Sequence, residues 1–172
     1  NRIGVMAAFG CNYQGDIAPE VVVNTLKDGM MIAEETGSEI TVFSLADTMG
    51  WAAPHRIEKV LGEVRNQWPD MEISLHLHDT RGLAVANAYA GLKMGIQSFD
   101  TTVGGLGGCP FAPGAAGNLA TEDLANMLDQ MGYTTNIDLN KLSKVVLFCE
   151  EKLNASLGGR MSAWLNKKNK AS

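Results

Sequence analysis

Two histidines separated by one residue, His76 and His78, are the side chains of this sequence best spaced to hold a metal ion. Successive side chains of an extended strand point to opposite faces, so both imidazoles project to one side while Leu77 points to the layer behind. Asp79 follows directly, and only one further histidine occurs in the chain. The pair therefore favours a divalent metal site over the alternative of one packed and one surface histidine.

Two imidazoles do not complete a metal site, and Asn118 or an aspartate oxygen would supply further ligands. A mixed set of nitrogen and oxygen ligands suits Mg²⁺, Mn²⁺ or a similar ion better than a thiolate zinc site. Asp79 and Thr80 come directly after the histidines. We expect them to organise the adjoining loop and to support the ligands from behind.

A glycine-rich segment, residues 104–117, contains Cys109. It lacks both the Gly-Lys-Ser/Thr ending of a P-loop and the Gly-x-Gly-x-x-Gly pattern, which disfavours nucleotide binding. Its glycine content predicts a lid that closes over a ligand, the alternative being a merely flexible connection. The thiol of Cys109 in that lid could shuttle a proton or act as a nucleophile.

Asp47 follows another apolar run, three residues before Gly50. Two interpretations are open. The carboxylate is either an active-site group or a turn-forming group that accepts hydrogen bonds from nearby backbone N–H groups.

Hydrophobic periodicity predicts four strand–helix units that position these residues. The predicted strands cover residues 2–8, 39–45, 72–77 and 98–103, and the helices that follow them cover residues 20–36, 54–68, 82–94 and about 121–131. A further amphipathic helix is predicted over residues 139–153. Repeated βα units imply an α/β fold with a parallel sheet.

Two architectures compete for this pattern. A doubly wound sheet can be built from four units, whereas a complete (β/α)8 barrel needs about 250 residues, so this chain could form only half of one. Asp47, His76, His78 and Cys109 fall at or just beyond the C-terminal ends of successive predicted strands. These ends converge on one mouth in a barrel, which favours the half barrel.

Composition restricts the classes of partner. The net charge of −5 gives no electrostatic footprint for nucleic acid or an anionic membrane. The sequence contains no apolar run long enough to span a bilayer. Cys11, Cys109 and Cys149 have neither the number of a disulfide framework nor metal-type spacing, which is typical of a reducing compartment. We expect a cytoplasmic protein, or a mitochondrial one if a presequence has been removed.

Four stretches together resemble the 3-hydroxy-3-methylglutaryl-CoA (HMG-CoA) lyases. They are Ser44-Leu-Ala-Asp47-Thr48-Met-Gly50, His76-Leu-His78-Asp79-Thr80-Arg-Gly82, Gly105-Leu-Gly-Gly-Cys109-Pro-Phe and Gly117-Asn118-Leu-Ala-Thr-Glu122-Asp123. The last two are quite specific, whereas His-x-His also occurs in the wider superfamily of metal-dependent lyases, aldolases and Claisen synthases. The similarity extends to about residue 155, which predicts a lyase domain over residues 1–155 and a C-terminal tail over residues 156–172.

The resemblance implies the C-terminal half of a (β/α)8 TIM barrel that holds Mg²⁺ or Mn²⁺ through His76, His78 and Asn118. It also implies that Cys109 is the catalytic thiol of a mobile loop and that Asp47 and Glu122 are polar active-site groups. The implied reaction is the retro-Claisen cleavage of an acyl-CoA substrate, HMG-CoA, to acetoacetate and acetyl-CoA. This reaction belongs to leucine degradation and ketone body metabolism, and we expect a homo-oligomer, a dimer, to perform it.

The chain departs from the family pattern in three places. It begins at about the fifth strand, so the Arg-Asp pair of the first strand, which includes a further metal ligand, has no counterpart here. Arg81 stands where a tyrosine is common, and Asn12 replaces the usual proline after Gly-Cys. The missing ligand predicts an inactive isolated chain, and the open half barrel, with two sheet edges and an apolar interior uncovered, predicts self-association.

Two alternatives to HMG-CoA cleavage stay open on the sequence. The chain could belong to a related lyase or aldolase that acts on another 3-hydroxy acyl-CoA. It could also be a non-catalytic half barrel that assembles with another half.

Overall fold

The computed structural model describes residues 1–108 and 117–171, with the backbone alone for residues 168–171. The elements within these residues are, in order, β1 Arg2–Val5, β2 Gly10–Cys11, β3 Gly15–Asp16, α1 Pro19–Glu35, β4 Val42–Asp47, α2 Pro54–Gln67, β5 Glu72–Leu77, α3 Ala84–Lys93, β6 Ser98–Asp100, a 3-10 turn Val103–Gly105, α4 Thr121–Gln130, α5 Leu139–Leu153 and α6 Arg160–Ala171. The four predicted βα units are therefore present.

Four strands form one parallel sheet in the order β1, β4, β5, β6, while β2 and β3 pair as a short antiparallel hairpin after β1. The helices that connect these strands pack side by side, α1 on α2, α2 on α3 and α3 on α4. A doubly wound sheet would reverse its strand order and place helices on both faces. The α/β class with a parallel sheet is confirmed, and its chain-order topology is that of a partial barrel.

Apolar side chains of alternate strand residues pack against the helices. The ring of Phe43 on β4 meets Trp68 at the end of α2, with 5.1 Å between the ring centroids. Leu75 on β5 lies so close to α3 that a methyl group on Gly91 would fall within 2.5 Å of its Cδ1. The side chains of intervening residues therefore point to the opposite face of the sheet.

This opposite face is small and polar. One row of paired residues across the four strands consists of Gly4, Ser44, Ser74 and Ser98. The next row towards the C-terminal strand ends brings His76 between Ala46 and Asp100. The expectation of an apolar barrel interior is wrong for these strands, because alternation directs their large apolar side chains to the helices.

The predicted C-terminal ends of three strands differ from the observed ones. The first strand ends at Val5 rather than at residue 8, and Ala7 turns the chain with a φ of 51° into the hairpin. The second strand continues to Asp47 instead of ending at residue 45. The fourth ends at Asp100, and a 3-10 turn follows where a strand was expected up to residue 103.

The segment after residue 155, expected to be a tail, contains helix α6, which packs on α4 and α5. Leu165 and Ser162 of this helix are buried. The Ser143 hydroxyl of α5 lies 2.7 Å from the Asn166 side-chain oxygen of α6. The domain boundary at residue 155 stays a prediction. Among the helices described, none is long and apolar enough to cross a membrane.

Candidate metal centre

The two histidines face each other at the C-terminal end of β5. Their Nε2 atoms are 3.3 Å apart, and His78 is only 5% exposed. Leu77 between them is fully buried in the core, as the alternation predicted. Because Mg²⁺ is bound at about 2.1 Å in octahedral geometry, two nitrogen atoms at this separation suit adjacent positions around one ion.

Asn118 lies directly beside His78, because its segment runs antiparallel to the end of β5 and forms a bridge with that residue. The bridge is extended by the Leu119 N–H, which donates to the Leu77 carbonyl at 2.8 Å. The Asn118 Nδ2 donates to the Leu106 carbonyl at 3.0 Å. Its buried Oδ1 has no hydrogen-bond partner among the described residues, so an acceptor atom is left open for a cation.

Two glycines allow the chain to pass this close to Asn118. A methyl group on Gly105 would lie 2.8 Å from the Asn118 carbonyl oxygen, and one on Gly107 would lie 2.8 Å from its Nδ2. Both glycines also have positive φ angles, 69° and 109°, which a side chain would disfavour. These glycines at the start of the loop therefore position Asn118.

The donor set fits a hard divalent ion. Burial lowers the pKa of His78, and the nearby His76 lowers it further, which favours the neutral imidazole that a metal requires. The described residues contain no cluster of three or more His, Cys, Asp and Glu side chains suited to a metal. Two imidazoles and the open amide oxygen would thus hold the ion together with ligands from elsewhere, such as water or substrate oxygens.

Asp47 points away from the histidines. It shares its face of β4 with Leu45, and its carboxylate accepts hydrogen bonds from the backbone N–H groups of Trp51, at 2.6 Å, and Ala52, at 3.1 Å. The side chain is fully buried. These contacts are those of the turn-forming interpretation, and the active-site role of Asp47 stays a prediction.

Stability should depend on pH through Asp47. Burial raises its pKa from the ordinary 3.8, although the N–H groups of Ala52 and Trp51 and the charge of Arg81 lower it. A raised folded pKa means that the protonated form stabilises the fold, and this contribution is lost as the pH rises from 3.8 through the folded value. The unfolding free energy of the parent, minus that of Asp47→Asn, should fall over this interval and then level off.

Urea denaturation of both proteins at a series of pH values measures this difference, and other titrating groups cancel in the subtraction. A difference that rises with pH would mean that the folded pKa of Asp47 is lowered, and the burial argument would be wrong.

Glu122 is also fully buried, but it binds two backbone segments together. Its Oε2 accepts the Gly104 N–H at 3.0 Å, and its Oε1 accepts the Ser162 hydroxyl at 2.8 Å. It therefore joins the 3-10 turn before the glycine-rich loop to helix α6. A role in the chemistry stays a prediction for Glu122.

Cys109 lies outside the described residues, so its catalytic role and the lid interpretation remain predictions. Both ends of the segment that contains it are described. The Gly117 N–H donates to the Gly107 carbonyl at 3.0 Å, and the Gly117 carbonyl accepts the Asp79 N–H at 3.0 Å. The segment that carries Cys109 therefore begins and ends beside Asn118 and the residue after His78.

Sequence analysis missed two residues that the structure links to His76, Asp100 and Arg2. Asp100 Oδ2 lies 3.5 Å from Nδ1 of His76, and Arg2 Nη1 lies 3.5 Å from the same oxygen. The alternation of Ser98 and Asp100 on the last strand indicates that both side chains lie on one face of the sheet. The sequence does not indicate the register that pairs Asp100 with His76, since this register depends on contacts between strands distant in sequence.

Comparison with known proteins gives a consistent result. The model of the HMGL-like family matches residues 1–148. The hydroxymethylglutaryl-CoA lyase YngG of Bacillus subtilis is 44% identical over 159 residues, which cover 92% of this chain and 51% of the relative. The (R)-citramalyl-CoA lyase of Chloroflexus aurantiacus is 39% identical over 165 residues, covering 96% of this chain and 49% of the relative. Other matched HMG-CoA lyases are named cytoplasmic in mouse and mitochondrial in human.

A solved structure agrees with the fold. An HMG-CoA lyase from Acinetobacter baumannii, in complex with coenzyme A and 3-methylmalate, superimposes with a TM-score of 0.81 at 34% identity. The match covers 94% of this chain and 51% of that one. The chain thus spans about half the length of the relatives it matches. Since those HMG-CoA lyases are TIM barrels, the half-barrel interpretation is confirmed.

Proposed function

Because the chain belongs to the HMGL-like family, we propose that it carries the metal-binding half of a carbon–carbon lyase that cleaves HMG-CoA to acetoacetate and acetyl-CoA. The observation that carries this proposal is the convergence of His76, His78 and the open Oδ1 of Asn118 at the C-terminal edge of the sheet. Active sites of (β/α)8 barrels lie at this edge.

His76, His78 and Asn118 would hold Mg²⁺ or Mn²⁺. The bound ion would polarise and orient the substrate oxygens. Retro-Claisen cleavage requires a base that takes the hydroxyl proton, after which the C–C bond breaks and an acid protonates the departing thioester enolate.

We assign that acid to Cys109, because its loop begins and ends beside Asn118 and Asp79. Closure of the loop would exclude water while the proton is delivered to the enolate carbon. The assignment depends on the sequence motif and on the positions of Gly107 and Gly117. It predicts that Cys109→Ala lowers kcat in the assay below.

A second substrate is supported by the relative named (R)-citramalyl-CoA lyase, which is 39% identical to this chain. Arg81, three residues after His78, stands where a tyrosine is common in the family. Its Nε donates to the Gly50 carbonyl at 2.9 Å, and its guanidinium lies 4.7 Å from the centre of the Trp51 ring. HMG-CoA and citramalyl-CoA both carry a free carboxylate, so this cation is consistent with either substrate, and the support for the second substrate is the named relative.

The remaining assignments are part of the same proposal. The protein would act in the cytoplasm, and the open edges of β1 and β6 would be covered in a complete barrel or by a second copy. A homo-oligomer, a dimer, remains our prediction for the assembled enzyme.

The reaction is tested by acetoacetate release from HMG-CoA with Mg²⁺ present, with this chain measured beside the longest reading frame that contains it. We expect release by the longer protein and none by this chain, because this chain spans about half the length of the relatives it matches. Release of acetoacetate by this chain on its own would show that the metal ligand expected from the first strand is dispensable.

If the longer protein releases no acetoacetate from HMG-CoA but cleaves citramalyl-CoA, the second substrate is favoured. If the longer protein binds Mn²⁺ but cleaves neither substrate, the proposed reaction is contradicted.

A further inference from the structure

Asp100 stands between a guanidinium and a histidine of the metal centre. It is paired with His76 across β5 and β6, and its Oδ2 lies 3.5 Å from the His76 Nδ1. Arg2, on β1 at the other edge of the sheet, reaches the same oxygen with its Nη1 at 3.5 Å. The opposite ring nitrogen of His76, Nε2, faces His78.

We propose that Asp100 is a positioning residue, which fixes His76 with its proton on Nδ1 and its lone pair on Nε2. A neutral imidazole carries a proton on one ring nitrogen and a lone pair on the other, and an ionised carboxylate can only accept. Asp100 at Nδ1 therefore leaves Nε2 as the free acceptor, 3.3 Å from its counterpart on His78. Metal-bound histidines usually have such a partner on the second nitrogen.

Arg2 directs the carboxylate. Its side chain crosses the inner face from β1, over the row of small residues that includes Gly4 and Ser44, to reach Asp100 on β6. No side chain of that row is long enough to obstruct it. Arg2 thereby couples the two edge strands of the sheet to the orientation of a single histidine, and its removal should loosen Asp100 without displacing it.

The side chains around Asp100 are too exposed for their ion pairs to contribute much to the stability of the fold. Asp100, His76 and Arg2 are all partly exposed, with side-chain exposures of 35%, 31% and 54%. Ion pairs at such exposure contribute little to stability. Loss of Asp100 should therefore change the His76 proton position and the metal affinity while the urea midpoint stays near that of the parent.

The inference rests on the proposed metal site, but its first readout needs no metal. Nitrogen-15 NMR of the metal-free protein, recorded over a series of pH values so that the neutral ring is identified directly, distinguishes the two neutral tautomers of His76. The protein is the longest reading frame that contains the chain. We expect the Nδ1–H tautomer in the parent, a shift towards Nε2–H in Asp100→Ala, and retention in Asp100→Asn, whose amide oxygen can still accept.

The second readout is Mn²⁺ affinity, measured by electron paramagnetic resonance. Asp100→Ala should weaken it by about 10- to 100-fold, as loss of such a partner commonly does, with smaller losses for Asp100→Asn and for Arg2→Met. Ser98→Ala is the matched control, because Ser98 shares the strand and the face of Asp100. It should leave both readouts unchanged.

An unchanged tautomer in Asp100→Ala would overturn the inference, and so would a shifted tautomer with unchanged Mn²⁺ affinity. If the parent binds no Mn²⁺, the proposed function loses its support. The positioning of His76 would still be decided by the tautomer populations, so the two failures are distinguishable.

Discussion

Replacement of His76 by alanine is expected to weaken Mn²⁺ binding by at least about 100-fold, since loss of a ligand should exceed the effect of losing its supporting partner. The reason is geometric. Of the ligands in this chain, only one nitrogen of His78 and one oxygen of Asn118 would remain, and the further ligand expected from the first strand would have to hold the ion with these two alone. Equilibrium Mn²⁺ titration of the longest reading frame that contains the chain measures the loss.

His76 suits this test better than His78. It is partly exposed, whereas His78 is almost fully buried, so truncation of His78 would also leave a cavity in the core. The matched control is His55→Ala, which removes the third histidine, an exposed side chain on the first turn of α2. Equal Mn²⁺ affinity in His76→Ala and the parent would mean that the metal site is misassigned.

The sequence was sufficient for this part of the site because strand alternation is a local rule. Two histidines at i and i+2 must share a face wherever the strand lies, and Leu77 between them must face the core. The residues alone left Asn118 and an aspartate oxygen as candidate ligands, and only the family resemblance selected Asn118. The contact of Asn118 with His78 joins residues forty positions apart, through a bridge that no local pattern encodes.

Strand alternation could also have indicated the face of the sheet on which Asp47 lies. The predicted strand stopped at residue 45, which left Asp47 in a loop with no defined direction. The observed strand continues to Asp47, so this residue shares the face of Phe43 and Leu45 and points to the helix layer rather than to the histidines. Read two residues further, the alternation would have placed Asp47 on the face of the sheet opposite to the histidines.

Replacement of Glu122 by alanine should strongly destabilise the fold. The carboxylate is fully buried and accepts the Gly104 N–H and the Ser162 hydroxyl. Each buried donor left without a partner costs about 1–3 kcal/mol, so we expect a loss of about 3 kcal/mol in the free energy of unfolding. Urea denaturation of the parent and the variant measures it.

Glu122→Gln is the matched control, because glutamine can accept the Gly104 N–H with its oxygen and donate to the Ser162 oxygen with its amide. It should retain stability within about 1 kcal/mol of the parent. Ser162→Ala removes one of the two contacts. Its free energy of unfolding should lie between those of Glu122→Ala and Glu122→Gln. If the free energy of unfolding of Glu122→Ala equals that of the parent, the bridging role of Glu122 is contradicted.

The glutamine variant also separates the two roles open to Glu122. A carboxylate that acts in the chemistry would lose kcat on conversion to an amide while the fold stays intact. A carboxylate that only joins segments would keep kcat as Gln and lose Mn²⁺ affinity as Ala, because Gly104 adjoins Gly105, whose carbonyl accepts the Asn118 N–H at 3.0 Å. The contacts favour the second outcome. Helix α6, which lies in the segment expected to be a tail, would then support the candidate metal site through Glu122.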